Sequence, residues 1–133
     1  MPRRTILVVD DDSKTLRLVR HQLEARGYSV STALSGEKAW ARILRSPPAV
    51  VLTDLHLRGM DGLELAARIR AEESLRRVAV VLVSGNSSRE DRKKARAAGC
   101  DAFLAKPVES RRLGRTIARL LGRSGAQGRA SQD

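Results

Sequence analysis

The sequence predicts an alternating α/β domain, a five-stranded parallel sheet with helices on both faces. Three observations predict it. Short apolar runs of strand length recur along the chain, at Thr5 to Val9, Val50 to Thr53, Val78 to Val83 and Ala102 to Ala105. Amphipathic stretches at helical spacing separate them, and such alternation is the pattern of parallel β-α-β units. The central runs are apolar throughout rather than at every second residue, as strands buried on both faces are. Right-handed crossovers follow from strand twist.

The elements justify themselves in order. Thr5 to Val9 is apolar and β-branched, and Asp10-Asp11-Asp12 stands at its end. Ser13 opens a helix whose Leu16, Val19 and Leu23 share one face, with Asp12 or Ser13 as N-cap and Gly27 as stop. His21 lies between Arg20 and Gln22 on its solvent side and receives no role. Tyr28 to Ala33 alternates polar and apolar, which suits a strand near a sheet edge. Ser35-Gly36-Glu37 opens the second helix, striped by Ala39, Trp40, Ile43 and Leu44; Trp40 is read as packing.

The third strand, Val50 to Asp54, is bounded by Pro47-Pro48 before it and by Gly59 and Asp61-Gly62 beyond it. Gly62 begins the third helix, with Leu63, Ala66, Ala67 and Ile69 expected inward, and Glu72-Glu73-Ser74 leads out. Val78 to Val83 ends in Ser84-Gly85-Asn86. Ser87-Ser88-Arg89-Glu90 caps a fourth helix running to Ala98, with Gly99 at its end. Ala102 to Ala105 precedes Lys106-Pro107, and the fifth helix runs from about Glu109 to Leu121 on a stripe of Leu113, Ile117 and Leu120. One domain is expected over 1–121. Residues 122–133 are Gly-, Ser- and Gln-rich and read as a disordered tail or the start of a linker.

A chain of 133 residues can bury a core without disulfides or metals for stability. No apolar run approaches the roughly 18 residues of a membrane span. The run behind Met1-Pro2-Arg3-Arg4 is too short for a signal peptide, so a cytoplasmic location is expected. The single Cys100, between Gly99 and Asp101, cannot form an internal disulfide and reads as an inert loop thiol. The net charge is +11. Residues 1–84 hold 14 Lys+Arg and 10 Asp+Glu, whereas 85–123 hold 11 and 4, so the excess is concentrated in the last third. Arg89, Arg92, Lys93 and Arg96 recur on the fourth helix, and Arg111, Arg112, Arg115 and Arg119 on the fifth. A polyanionic partner is one reading; a solvated helix face, or a general bias toward arginine, is the other. With one Phe, one Tyr and one Trp there is little to stack on bases, so an acidic protein is favoured over nucleic acid.

Parallel strands send all their C-terminal ends to one side. Four of the five end there in polar residues: Asp10-Asp11, Asp54, Ser84 and Lys106. In open α/β sheets this is the edge where ligands bind. Each residue alone has a plainer explanation, as a helix cap, a turn former or a surface charge. Their convergence on one edge favours a site. Clustered carboxylates repel, and a divalent cation relieves them; hard oxygen ligands favour Mg2+ or Mn2+. A carboxylate can act as nucleophile toward phosphorus, with a lysine and a metal neutralising the phosphoryl oxygens.

These motifs resemble those of response-regulator receiver domains, the CheY-like phosphoacceptor modules of two-component signalling. Ile6-Leu7-Val8-Val9-Asp10-Asp11-Asp12, Thr53-Asp54-Leu55 with Gly59-Met60-Asp61-Gly62, Val83-Ser84-Gly85 and Phe103-Leu104-Ala105-Lys106-Pro107 carry the resemblance, over about residues 4–121. Ser84 stands 30 and Lys106 52 residues after Asp54, spacings that suit the family. The resemblance implies a flavodoxin-like (βα)5 fold with strand order 2-1-3-4-5. It implies that Asp54 accepts a phosphoryl group from a histidine kinase or phosphotransfer protein. Asp11, Asp54 and the His56 backbone carbonyl would hold Mg2+, with Asp10 assisting. Lys106 would contact the phosphoryl group, Ser84 and Phe103 would move in concert as the switch, and Pro107 would follow a cis peptide bond. His56 and Asn86 would tune the lifetime of the phosphoryl group. The output would be a changed α4-β5-α5 surface for a downstream protein, with the chain a monomer or a phosphorylation-dependent dimer.

One position departs from the family: Arg58 stands where a proline is common, four residues after Asp54. Two alternatives remain. A phosphorylation-independent pseudo-receiver would lack one of the acids, the Ser or the Lys, and all are present. A phosphoaspartyl hydrolase of the haloacid-dehalogenase kind needs an acid two residues after the nucleophile, where His56 stands. The domain is therefore read as no enzyme beyond its own phosphoryl transfer and dephosphorylation. No output domain is expected to follow Leu121 within this sequence.

Overall fold

The computed structural model describes residues 5–85 and 88–130, with side chains through Gly122. Strands β1 (Thr5–Val9), β2 (Ser29–Ala33), β3 (Val50–Asp54), β4 (Ala79–Ser84) and β5 (Ala102–Ala105) alternate with helices α1 (Ser13–Glu24), α2 (Gly36–Arg45), α3 (Gly62–Ala71), α4 (Arg89–Ala97) and α5 (Ser110–Ala130). The strands form one parallel sheet in the order β2-β1-β3-β4-β5. This is the flavodoxin-like order that the motifs imply, with the chain reversing direction across the sheet between β1 and β3.

The period-two alternation of a strand sorts the core into layers. Leu7, Val9, Val51 and Val80 point to one face, where they pack against Ala39 and Ile43 of α2 and Leu65, Ala66 and Ile69 of α3. Ile6, Val8, Leu52 and Val81 point to the other and meet Leu16 and Leu23 of α1 and Leu113, Ile117 and Leu120 of α5. A smaller cluster of Leu55, Leu82 and Ala95 seats α4 near the C-terminal edge, with Phe103 against it. The central strands β1, β3 and β4 are buried almost throughout, which is why their sequences do not alternate.

Several expectations are corrected. Ala67 is exposed, and Leu65 takes the inward place because it lies one helical turn before Ile69. Leu44 is also exposed: Ile43 already fills the inward direction, and the next residue is rotated away by 100°. A 3-10 turn at Glu73–Leu75, not foreseen, tucks Leu75 into the core. The backbone of α5 continues to Ala130, past the Leu121 at which the sequence reading ends it. Extending a docked helix costs less than starting one, and no proline interrupts this stretch. Residues 131–133 lie outside the described residues.

Other features agree. Asp12 caps α1, accepting from Lys14 N–H at 3.2 Å. Gly27 and Gly99 take positive φ after α1 and α4. Trp40 is half-buried against the α2–α3 core, with the Arg68 guanidinium 5.9 Å from its ring. Cys100 is half-buried, and burial pushes its thiol pKa up to about 12.

Candidate functional site

Three strand ends meet at one ammonium group. Lys106 follows β5, and its Nζ donates to Asp54 Oδ2 at 2.9 Å and to Asp10 Oδ2 at 3.4 Å. Asp54 is the last residue of β3, and Asp10 follows β1, the neighbouring strand. The register sets this contact: Val9 pairs with Thr53, so Asp10 and Asp54 leave the sheet side by side. Ser84, the last residue of β4, is fully buried, and its carbonyl accepts from Lys106 N–H at 2.8 Å. The Lys106–Pro107 peptide bond is cis.

The electrostatics are those of an anionic site held together by one cation. Asp10 is buried, and that burial raises its carboxyl pKa; the nearby Asp54 charge adds to the rise. The Asp12 N–H, donating to Asp10 Oδ1 at 2.9 Å, and Lys106 work in the opposite direction without cancelling it. Burial works against the Lys106 ammonium, but the Asp54 hydrogen bond and the charges of Asp54 and Asp10 outweigh it and hold its pKa above the usual lysine range. Two carboxylates share one ammonium, so negative charge remains. Hard oxygen donors with surplus negative charge suit Mg2+ or Mn2+. Asp11 stands exposed beside them. Among the described residues no group of three His, Cys, Asp or Glu side chains is gathered closely enough to enclose a metal.

The loop after β3 is held from several sides. His56 N–H donates to Asp54 Oδ1 at 3.2 Å, and Leu55 N–H to the Val83 carbonyl at 2.8 Å. Gly62 packs so closely that a Cβ there would overlap the Asp54 carbonyl oxygen. Gly59 takes φ +70°, and the next N–H, that of Met60, donates to Glu37 Oε2 at 2.9 Å. This hydrogen bond holds the Glu37 carboxyl below its usual pKa. Arg58 is exposed. The loop that lacks the common proline is therefore pinned through Glu37 and the buried Leu57 and Met60.

Beside the site opens a cavity of about 390 Å³, reached between α1 and the β5–α5 connection and lined by Asp10, Thr15, Leu18, Asp54, Lys106 and Pro107. On the other side Phe103 is half-buried, with the Arg92 guanidinium 5.0 Å from its ring. Asn86 lies outside the described residues. Two residues escaped sequence reasoning. Glu37 left only a faint signal, an acid in the first turn of a helix starting at the same edge. Asp91, buried in the first turn of α4, was hidden in a run read as basic.

Comparison with known proteins agrees with this arrangement. The family model described as response regulator receiver domain matches residues 6–118. The chain is 36% identical over 104 residues to the response regulator PleD of Caulobacter vibrioides, covering 78% of this chain but only 23% of PleD. It is 29% identical over 119 residues to the polar-differentiation response regulator DivK of Brucella ovis, covering 90% of this chain and 97% of DivK. A response regulator receiver domain protein (CheY-like) from Methanospirillum hungatei superposes with TM-score 0.87 at 30% identity, covering 94% of this chain and 98% of that one. Chemotaxis protein CheY4 of Vibrio cholerae superposes with TM-score 0.84 at 26% identity, covering 89% and 98%. Fold, strand-end chemistry and similarity converge: this chain belongs to the response regulator receiver domain family.

Proposed function

We propose that Asp54 is the phosphoacceptor and that phosphorylation there switches the α4-β5-α5 face of this receiver. The observation that carries the reading is the Lys106 ammonium bridging Asp54 and Asp10 across three strand ends. In transfer, an Asp54 carboxylate oxygen forms a bond to phosphorus as the bond to the donor's leaving group breaks, leaving an acyl phosphate. Lys106, already on Asp54, stabilises charge on the phosphoryl oxygens. Asp11, Asp54 and the His56 carbonyl would hold Mg2+, with Asp10 assisting, and the ion would supply further charge neutralisation when bound. The donor is a histidine kinase or phosphotransfer protein. Ser84 moves toward the new phosphoryl oxygens and Phe103 turns into the space released, so a local charge event biases a two-state surface. Arg92 over the Phe103 ring links that motion to α4.

The partner of that surface is an acidic protein. Arg89, Arg92, Lys93 and Arg96 on α4 and Arg111, Arg112, Arg115 and Arg119 on α5 are all exposed, and none has an ion-pair partner among the described residues. Like charges on both helices disfavour self-association through this face. The domain catalyses only its own phosphoryl transfer and dephosphorylation. No described helix is long and apolar enough to cross a membrane, and we place the domain in the cytoplasm. Incubation with acetyl phosphate and Mg2+ followed by Phos-tag electrophoresis tests the phosphoacceptor role. A retarded band is expected for the wild type and not for Asp54→Asn; identical lanes would refute it and favour the pseudo-receiver alternative.

A further inference from the structure

Helix α4 is basic along its surface, yet its third residue is an acid turned inward. Asp91 keeps only 8% of its surface exposed. Its N–H donates to the Oγ of the capping Ser88 at 3.1 Å, which fixes its place in the first turn. Its Oδ2 is buried and has no hydrogen-bond partner among the described residues. A buried carboxylate oxygen left without a donor has lost its water and gained nothing in return. The group facing it is His56, whose Nε2 lies 4.0 Å from that oxygen. A shift of about 1 Å in this exposed imidazole brings the pair to hydrogen-bond distance. The same His56 donates its backbone N–H to Asp54 Oδ1. Asp91 thus reaches the phosphoacceptor loop through one histidine.

We propose that Asp91 is a positioning residue for loss of the phosphoryl group from Asp54: it anchors the His56 imidazole through Nε2–H and so speeds hydrolysis. This rests on Asp54 being the phosphoacceptor. An acceptor at Nε2 selects the tautomer with its proton there and leaves a lone pair on Nδ1. Nδ1 is the ring nitrogen nearer the main chain, and that main chain is bonded to Asp54. A water donating to Nδ1 is held beside the acyl phosphate, and ordering a reactant lowers the entropic part of the barrier. In the step itself the water oxygen forms a bond to phosphorus and the bond from phosphorus to the Asp54 oxygen breaks. The electron pair returns to the carboxylate, and both water protons leave on the phosphate. His56 orients the water without changing its own protonation state.

A helix-stabilising acid in a first turn is the competing explanation, and the decay of the phosphorylated full chain separates the two. The protein is labelled with acetyl phosphate and Mg2+, desalted, and sampled on Phos-tag gels. Asp91→Leu is expected to lengthen the lifetime about three- to tenfold, the effect of one lost orienting hydrogen bond. His56→Leu should lengthen it equally, and the double variant should decay no more slowly than either single one. Imidazole 15N spectra should show the Nε2–H tautomer in the wild type and a mixture in Asp91→Leu. A wild-type lifetime in Asp91→Leu, or effects that multiply in the double variant, overturns the role of Asp91. Should Asp91→Leu lose its folded circular dichroism spectrum, Asp91→Ser, too short to reach His56, is read the same way. A wild type that takes no label at all removes the phosphoacceptor reading and this inference with it, whereas label with unchanged decay removes Asp91 alone.

Discussion

Replacing Lys106 by Met removes the cation that bridges Asp10 and Asp54 while keeping the length of the side chain. The ammonium stands 2.9 Å from one carboxylate oxygen and 3.4 Å from the other. Removing one partner of a fully buried pair costs about 3–5 kcal/mol. The Lys106 side chain is 33% exposed, so solvent screening reduces this to about 1–2 kcal/mol. For a domain of this size that corresponds to a fall in Tm of about 4–8 °C. The pH dependence has a definite sign. The wild-type lysine pKa is raised, so its contribution is complete below the unfolded value and is lost only as pH rises through the folded one, at alkaline pH. In the variant, Asp10 keeps its raised pKa and loses the lysine that opposed the rise. A carboxyl raised on folding binds protons more readily in the folded state, so stability of Lys106→Met climbs as pH falls through the folded Asp10 pKa. Mg2+ should shrink the deficit by standing in for the missing charge. Thermal melts at neutral and mildly acidic pH, in EDTA and in millimolar Mg2+, read all three effects. A variant that melts with the wild type in EDTA, or whose deficit ignores both pH and Mg2+, would refute the electrostatic reasoning.

Further outcomes follow from neighbouring residues. Gly62→Ala places a methyl group on the Asp54 carbonyl and 2.9 Å from a Leu82 methyl; overpacking of this kind costs about 1–3 kcal/mol, visible as a lower urea midpoint. Glu37→Ala frees the Met60 N–H, so amide exchange at Met60 should rise several-fold; because the Glu37 pKa is depressed, the same protection in the wild type should persist at neutral pH and fade as pH drops through the folded value. Cys100 should resist iodoacetamide at pH 8 in the folded protein and react on unfolding, since its thiol titrates at about 12. Rapid labelling of the native protein would contradict that burial.

The convergence of the strand-end residues is legible in the sequence. Asp10, Asp54, Ser84 and Lys106 each follow or end an uninterrupted apolar run, and parallel packing carries such ends to one side. The strand order was not legible from periodicity, which says nothing of which strand lies beside which; the motifs implied it. Leu44 and Ala67 were assigned inward on hydrophobicity alone, although only one direction around a helix meets the sheet. Glu37 was missed because its partner is a backbone N–H across the fold, and a main-chain donor has no signature in sequence. Asp91 was missed for a related reason. Its meaning lies in a histidine on another element, and the basic residues around it masked the acid beside Glu90 that turns inward.

The span of chain that closes the site has a consequence for how the protein is made. Lys106 lies 96 residues from Asp10 and 52 from Asp54 along the chain, so the bridge is among the least local contacts in the fold. Contacts of such separation form only after the intervening chain has been ordered. On the ribosome β1 and β3 emerge well before β5, and a nascent chain that has released Asp54 still lacks its cation. On the proposed roles of Asp54 and Lys106, competence to accept a phosphoryl group would arrive with the last strand, together with completion of the sheet. A chain cut before Lys106 lacks the ammonium that bridges Asp10 and Asp54.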